Sequence, residues 1–188
     1  MTNNAVWRED DSGLLRAAHY IPSPNFDDRP AGAAIELLVV HNISLPPGQF
    51  GGPGIVDLFT NRLDPNAHPY YRQIADARVS SHFLIRRDGA LLKFVPCALR
   101  AWHAGQSEWH GRGRCNDFSI GVELEGTDDG PFAEIQYANL AALAILLLDR
   151  YPIRDCVGHS DIALPPGRKT DPGPYFDWAR LRSLMGKA

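Results

Sequence analysis

The sequence predicts an α/β (α+β) fold: a single domain with a central mixed β-sheet flanked by helices. Apolar, β-branched runs typical of buried strands are mixed with segments of helical periodicity. Rigid loops rich in proline and glycine separate them, and no repeat, low-complexity tract or domain linker interrupts the 188 residues. A chain of this length suits one domain with a substantial core, so we expect residues 1–188 to form one unit.

The first third of the chain predicts one central strand and one short helix. Residues 1–33 are polar and rich in turn formers, and we expect them to run over the surface. Residues 33–41, AAIELLVVH, become apolar and β-branched towards their end, which is the pattern of a central strand. A rigid Pro/Gly loop at 45–54 leads into an amphipathic helix at 55–63.

The remaining elements complete the predicted sheet and its covering helices. Residues 80–96 contain two strand-like runs around Asp88-Gly89, the signature of a hairpin. Residues 118–126, FSIGVELEG, alternate as a strand does. Residues 131–152 predict the main helix, which Pro152 ends, and residues 175–185 predict a short closing helix.

Composition restricts the partners. The chain is 44% apolar and 22% charged with a formal net charge of −3, so neither nucleic acid nor a membrane surface is an expected partner. The N-terminus lacks the basic start and apolar run of a signal peptide, and the longest apolar run, at 140–148, is too short to span a bilayer. The three cysteines, Cys97, Cys115 and Cys156, form no disulfide pattern. We therefore expect a cytoplasmic protein, and we also expect a monomer.

Three residues form a candidate metal site. His41 ends the first predicted strand, and His159 follows the short apolar stretch DCVG. Asp171 lies twelve residues later on a rigid loop. Two histidines and one carboxylate are a ligand set of catalytic zinc, but the spacing is no compact motif. His82 and His103 also lie near strand ends, and spacing alone does not choose among the four histidines.

Hydrolysis also needs a base and a group that stabilises negative charge. Glu123 and Glu125 share one face of the predicted strand, opposite Ile120, Val122 and Leu124, and either carboxylate could accept a proton. The alternative is a solvated strand face. Lys169, two residues before Asp171, could stabilise a tetrahedral intermediate, or GRK could be an ordinary basic loop.

These stretches together resemble the cytosolic N-acetylmuramoyl-L-alanine amidases of the AmpD type, which recycle bacterial cell wall. The resemblance covers roughly residues 23–182, and its most specific segments are VVHNISLPPG and GRKTDPG. One departure is the loop at 162–168, which lies within the segment DIALPPGRK. This loop is longer than the usual loop of the family. The other matching segments are SPNFDDRP, DPNAHPY, RVSSHFLIRRDG, RAWHAG, GRGRCNDFSIGVELEGTD and FDWARLR.

The resemblance implies a role for individual residues and a Zn²⁺ cofactor at the bottom of a surface groove. It implies His41, His159 and Asp171 as zinc ligands, Glu123 as the catalytic glutamate and Lys169 as the oxyanion stabiliser. His82 and His103 become non-ligands. The implied substrate contacts are Asn42, Arg78, Trp102, Arg114 and Arg168.

The function that the resemblance implies is hydrolysis of the amide bond between the lactyl group of (1,6-anhydro-)N-acetylmuramic acid and L-alanine. The implied partner is a small-molecule substrate, an anhydro-muramyl peptide. Guanidinium groups at the matched positions suit the carboxylates of the stem peptide. The alternative is a non-catalytic module that binds peptidoglycan fragments, as some recognition proteins of similar fold do when a metal ligand is missing. A zinc hydrolase of another amide class is a third reading.

Overall fold

The structure of the protein, a computed structural model, describes residues 18–186. The part of residues 1–33 that precedes position 18 lies outside the described residues. The strands are β1 His19–Tyr20, β2 Phe26–Asp28, β3 Leu37–Ile43, β4 Phe83–Ile85, β5 Leu91–Lys93, β6 Leu99–Ala101, β7 Glu108–Trp109, β8 Arg112–Gly113, β9 Ser119–Glu125 and β10 Asp155–Gly158. The α-helices are α1 Gly54–Phe59, α2 Tyr71–Ile74, α3 Glu134–Arg150, α4 His159–Ile162 and α5 Trp178–Leu184.

The central sheet is mixed, as the sequence predicts. Its six strands lie in the order β1-β5-β4-β9-β3-β10. The four strands β4, β9, β3 and β10 are mutually parallel, and β5 returns antiparallel to β4 through the predicted Asp88-Gly89 hairpin. Two small antiparallel pairs, β2 with β6 and β7 with β8, lie outside this sheet. The short strands β1 and β2, within the segment expected to be irregular, were not predicted.

The longest helix covers one face of the sheet. Apolar side chains of α3, among them Leu140 and Leu143, pack in one buried cluster with Val40 of β3 and with Ile120 and Val122 of β9. The apolar side chains at every second position of the strands therefore pack against the apolar face of the helix, whose side chains recur with a period of about 3.6 residues. Burial of this face supplies the main hydrophobic contribution to folding.

The opposite face of the same strands is partly polar. Val39 of β3 lies in a separate apolar cluster there, but the next residue of the strand on that face is His41. In β9 the corresponding positions are Gly121, Glu123 and Glu125. Every residue of β9 is buried, so these polar groups lie inside the protein. Burying polar groups costs free energy unless they are paired. This face of the sheet is therefore the candidate functional face.

The described part of the chain contains no helix that is long and apolar enough to cross a membrane. The cysteines are thiols in the structure, with Cys97 and Cys115 buried and Cys156 half-buried.

Candidate active site

Parallel strand pairing brings three candidate residues into one row. His41 of β3 lies directly opposite Glu123 of β9 in the ladder. On the other side of β3, Val40 pairs with Gly158, the last residue of β10, so His159 follows at the level of His41. The carboxyl ends of parallel strands are where α/β folds place their ligand sites. The row His159, His41 and Glu123 lies at that edge.

The Pro/Gly-rich loop returns Asp171 to this row. The backbone N–H of Ser160, at the start of α4, donates to the carbonyl of Asp171 at 2.9 Å. The Oδ2 atom of Asp171 lies 3.1 Å from Nδ1 of His41 and 3.1 Å from Nδ1 of His159. One donor atom from each of the three residues lies within 4.8 Å of the others. The structure thus brings together the three residues that the sequence proposed as metal ligands.

The hydrogen-bond roles around these atoms fit a cation between them. Nε2 of His159 lies 3.0 Å from the carbonyl oxygen of Ala104, which only accepts, so Nε2 carries the proton. In a neutral ring Nδ1 of His159 then has no proton, and its lone pair faces the carboxylate oxygen of Asp171. Zinc bonds of about 2.0–2.1 Å in tetrahedral geometry separate neighbouring ligand atoms by roughly 3.3 Å. The observed spacing and donor types therefore fit a zinc ion.

The ionisation states also favour metal binding. Burial lowers the pKa of His41 to about 4, although the hydrogen bond to Asp171 opposes this shift. Burial by itself would raise the pKa of Asp171, but its hydrogen bonds with His159 and His41 outweigh burial and hold that pKa well below its usual range. A neutral imidazole and an ionised carboxylate are the forms that bind metals.

Glu123 is the unpaired acid of the site. The residue is 8% exposed, and its Oε2 atom is buried without any hydrogen-bond partner. Burial, and next the negative charge of Asp171, raise the pKa of Glu123 well above its usual range, while Lys169 opposes the shift. An unpartnered buried carboxyl destabilises the fold, and perturbed acids of this kind concentrate at functional sites.

Glu125, the alternative base, is committed to structure. Its Oε1 atom accepts from the Arg86 guanidinium at 3.2 Å and from the backbone N–H of Gly51 at 2.7 Å. Its Oε2 atom accepts from the backbone N–H of Arg87. The side chain is 2% exposed. The expectation of a solvated strand face is therefore wrong for Glu125, because tertiary packing covers it with the loop before α1.

Asp128 joins the two segments that carry the candidate ligands. Its Oδ1 atom accepts from the Asn42 amide at 2.6 Å, and its Oδ2 atom accepts from the Thr170 hydroxyl. Gly173 allows the close approach, since a Cβ there would lie 2.5 Å from Cα of Asp128. Sequence reasoning missed Asp128, whose only local signal is the turn-forming TDDG, and the amide of Asn42 is engaged here.

Two further histidines lie behind the candidate ligands, as non-ligands in this geometry. His82 is held by the backbone: its Nδ1 accepts from Gly121 N–H at 3.0 Å, and its Nε2 lies 3.1 Å from the carbonyl of Leu99. His103 lies between, with Nδ1 at 3.0 Å from Nε2 of His41. Neither ring is in the group of possible metal ligands found among residues 18–186.

A groove with a volume of about 980 Å³ opens over the site. His41, His159, Asp171, Glu123 and Lys169 all line it. Of the five expected substrate contacts, Asn42, Trp102 and Arg168 line the groove, and Arg78 and Arg114 do not. Tyr70 lines it too; this residue ends the matching segment DPNAHPY, but no role was predicted for it.

The cationic contacts expected from the sequence are engaged within the protein. The Arg168 guanidinium donates to the carbonyls of Leu164 and Gln106 at 2.7 and 2.8 Å. Arg114 is exposed and forms an ion pair with Asp117 at 3.1 Å. Their role in substrate binding stays a prediction.

Proteins of known function are similar to this chain over nearly its full length. Residues 31–174 match the family described as N-acetylmuramoyl-L-alanine amidase. The chain is 56% identical over 179 residues to the 1,6-anhydro-N-acetylmuramyl-L-alanine amidase AmpD of Escherichia coli (strain K12). This match covers 94% of this chain and 97% of that protein. The corresponding Citrobacter freundii protein is 58% identical over 177 residues, with coverage of 93% and 94%.

Two solved structures are also similar. A crystal structure of a selenomethionine derivative of AmpD superposes with a TM-score of 0.87 at 58% identity, covering 90% of this chain and 94% of that chain. The second is a complex of the amidase AmiD from E. coli with anhydro-N-acetylmuramic acid-L-Ala-D-γ-Glu-L-Lys, with a TM-score of 0.58 at 33% identity and coverage of 83% and 60%. Together with the matched family, these similarities show that the chain belongs to the N-acetylmuramoyl-L-alanine amidase family.

Proposed function

We propose that this protein uses zinc to hydrolyse the amide bond between the lactyl group of 1,6-anhydro-N-acetylmuramic acid and L-alanine, in peptidoglycan recycling. The observation that carries the proposal is the buried row of His159, His41 and Glu123 with Asp171 facing both histidines. The activity of relatives at 56% and 58% identity, 1,6-anhydro-N-acetylmuramyl-L-alanine amidases, supports the assignment of the bond and of the sugar.

His41, His159 and Asp171 would hold the zinc ion through Nδ1, Nδ1 and a carboxylate oxygen. When bound, zinc acts as a Lewis acid that polarises the scissile carbonyl and increases the acidity of the attacking water. Three protein ligands leave one position open for chemistry.

Glu123 is the proposed general base. Its Oε2 atom has no competing hydrogen bond, so it is available to accept the proton of the attacking water. The protonated carboxyl can then return that proton to the nitrogen of L-alanine as the C–N bond breaks. The low exposure of the side chain keeps bulk water from competing for this transfer.

Lys169 is the proposed stabiliser of negative charge on the carbonyl oxygen. It lines the groove two residues before Asp171, and its charge opposes the raised pKa of Glu123. Because the charge on the oxygen develops during attack, an ammonium group beside that oxygen would lower the barrier more than it strengthens substrate binding.

The groove is proposed to bind the sugar and the stem peptide. The Trp102 indole donates to Asp27 at 3.1 Å, which fixes the ring that would pack against the sugar. Asn42 and Arg168 line the groove, whereas Arg78 and Arg114 do not, so substrate contacts of the latter two stay a prediction from the family resemblance. The substrate named in the E. coli AmiD complex carries such a stem peptide.

A non-catalytic binding module is the weaker alternative. Binding alone gives no reason to keep a buried, unpartnered carboxyl such as Glu123 beside a complete ligand set. We further propose that the protein is cytoplasmic and monomeric with three cysteine thiols, which cell fractionation, sedimentation and thiol titration would test.

The ligand assignment predicts that Asp171→Ala loses most bound zinc and most activity, because the carboxylate supplies one of three ligands. Zinc content of the purified variant checks this. Asp129→Ala is the matched control, since it removes an exposed carboxylate that lines the same groove. Unchanged zinc in Asp171→Ala would overturn the assignment.

The two glutamates predict opposite phenotypes. Glu123→Ala should keep zinc and lose about 10²–10⁴ in kcat, the range of general acid–base catalysis. It should cost little stability, because the carboxyl has no partner. Glu125→Ala leaves Arg86 unpaired and should cost about 3 kcal/mol in urea unfolding, with the smaller loss in kcat. A folded Glu125→Ala variant with the larger loss in kcat would refute the assignment of the base.

Lys169→Ala predicts a loss of about 10²–10³ in kcat at unchanged zinc content, as for one oxyanion donor. Steady-state kinetics with zinc-loaded protein measure the loss. A rise in KM alone would instead make Lys169 an anchor for a substrate carboxylate.

The substrate assignment predicts a preference of at least about tenfold in kcat/KM for 1,6-anhydro-muramyl tripeptide over the reducing sugar tripeptide. A groove fitted to the anhydro ring leaves the extra hydroxyl poorly solvated, at a cost of about 1–3 kcal/mol. Release of L-alanine-headed peptide measures both rates. Equal rates, or efficient cleavage of intact sacculi, would indicate a general cell-wall amidase.

A further inference from the structure

His103 contacts a candidate zinc ligand from the side away from Asp171. Nε2 of His41 and Nδ1 of His103 are 3.0 Å apart, and both residues are buried. The opposite nitrogen of His41, Nδ1, faces Asp171. The two nitrogens of His41 therefore have separate neighbours, one towards the proposed zinc and one towards His103.

The positions of the protons on the two imidazole rings set the direction of this hydrogen bond. If Nδ1 of His41 offers a lone pair to zinc, its Nε2 carries the proton and donates to Nδ1 of His103. Nε2 of the His103 ring then carries a proton and donates to the Ser119 hydroxyl at 3.1 Å. The reverse direction would place a proton on Nδ1 of His41, where it would exclude the metal.

Ala104, the residue after His103, contacts the second candidate histidine ligand, His159. The carbonyl of Ala104 lies 3.0 Å from Nε2 of His159 and fixes the proton on that nitrogen. The Asn116 side chain holds both residues, since its Oδ1 accepts from His103 N–H at 3.2 Å and from Ala104 N–H at 2.8 Å. Two consecutive residues thus lie behind both histidine ligands.

Gly121 of β9 makes room for the His103 ring. A Cβ at this glycine would lie 2.5 Å from Cγ of His103 and 2.6 Å from its Nδ1. The ring therefore packs directly on the backbone of the sheet, at a position where any other residue would displace it. This packing holds its Nδ1 atom towards His41.

We propose that His103 is a positioning residue that accepts a hydrogen bond from Nε2 of His41 and so keeps Nδ1 of His41 available to zinc. The inference rests on the proposed zinc-dependent function. Outer-shell partners of this kind orient ligating histidines and increase their basicity, and their loss typically weakens metal binding by about 10–100-fold.

Three variants separate the hydrogen bond from simple packing. His103→Leu removes the acceptor. His103→Asn keeps an acceptor oxygen at the place of Nδ1 but loses the ring. His82→Asn is the matched control, because His82 is also a buried histidine, and its hydrogen-bond contacts are Gly121, Leu99 and Arg29 rather than a candidate ligand. Circular dichroism and urea unfolding in chelator establish that each variant folds.

The measurement is the zinc dissociation constant of each full-length variant by competition with a chelator. We expect His103→Leu to bind zinc about 10–100-fold more weakly than the wild type. The other two variants should stay close to the wild-type affinity. An unchanged affinity in His103→Leu, equal losses in His103→Leu and His103→Asn, or an equal loss in His82→Asn would each overturn the proposal.

Nitrogen-15 NMR of the wild-type imidazole rings tests the same point without any variant. In the zinc-loaded protein, His41 should show a protonated Nε2 and a metal-shifted Nδ1. A His41 ring that lacks a proton on Nε2 would overturn the role of His103 while leaving zinc-dependent amide hydrolysis intact. Failure of the wild type to bind zinc at all would instead refute the proposed function.

Discussion

The parallel pairing of β3 with β9 on one side and β10 on the other is the constraint on which the site depends. Its register sets His41 opposite Glu123 and brings the end of β10, and so His159, to the same level. A shift of one residue in a strand moves every side chain to the other face of the sheet. The apolar packing of Val40 and Val122 under α3 therefore also determines where the polar residues point.

The two faces of the sheet have different physical roles. One face is packed against α3 and stabilises the fold through apolar burial. The other carries His41 and both glutamates, which are buried polar residues. Glu125 is fully paired by Arg86 and two backbone N–H groups, whereas Glu123 retains an unpartnered oxygen. The same strand thus contributes one acid that is paired within the fold and one acid, the proposed base, that is not.

The long loop after α4 positions Asp171, as the strands position the histidines. Ser160 binds the backbone of Asp171, and Asp128 ties the neighbouring Thr170 to Asn42. Such a loop would otherwise lose conformational entropy without compensation on ordering. This anchoring of Thr170 and Asp171 explains how a candidate ligand twelve residues from His159 in sequence comes to face it at 3.1 Å.

The sequence by itself determined the mixed sheet, the hairpin, the main helix and the chemistry available at the site, because these follow from local periodicity, turn residues and residue type. It named His41, His159 and Asp171 as candidates but left His82 and His103 open until a family resemblance was applied. Only the tertiary structure decided that Asp171 faces both candidate ligand histidines, that Glu125 is paired, and that Asp128 and His103 lie beside the candidate ligands. Those relations depend on strand register and on contacts between segments far apart in the chain, which no local pattern encodes.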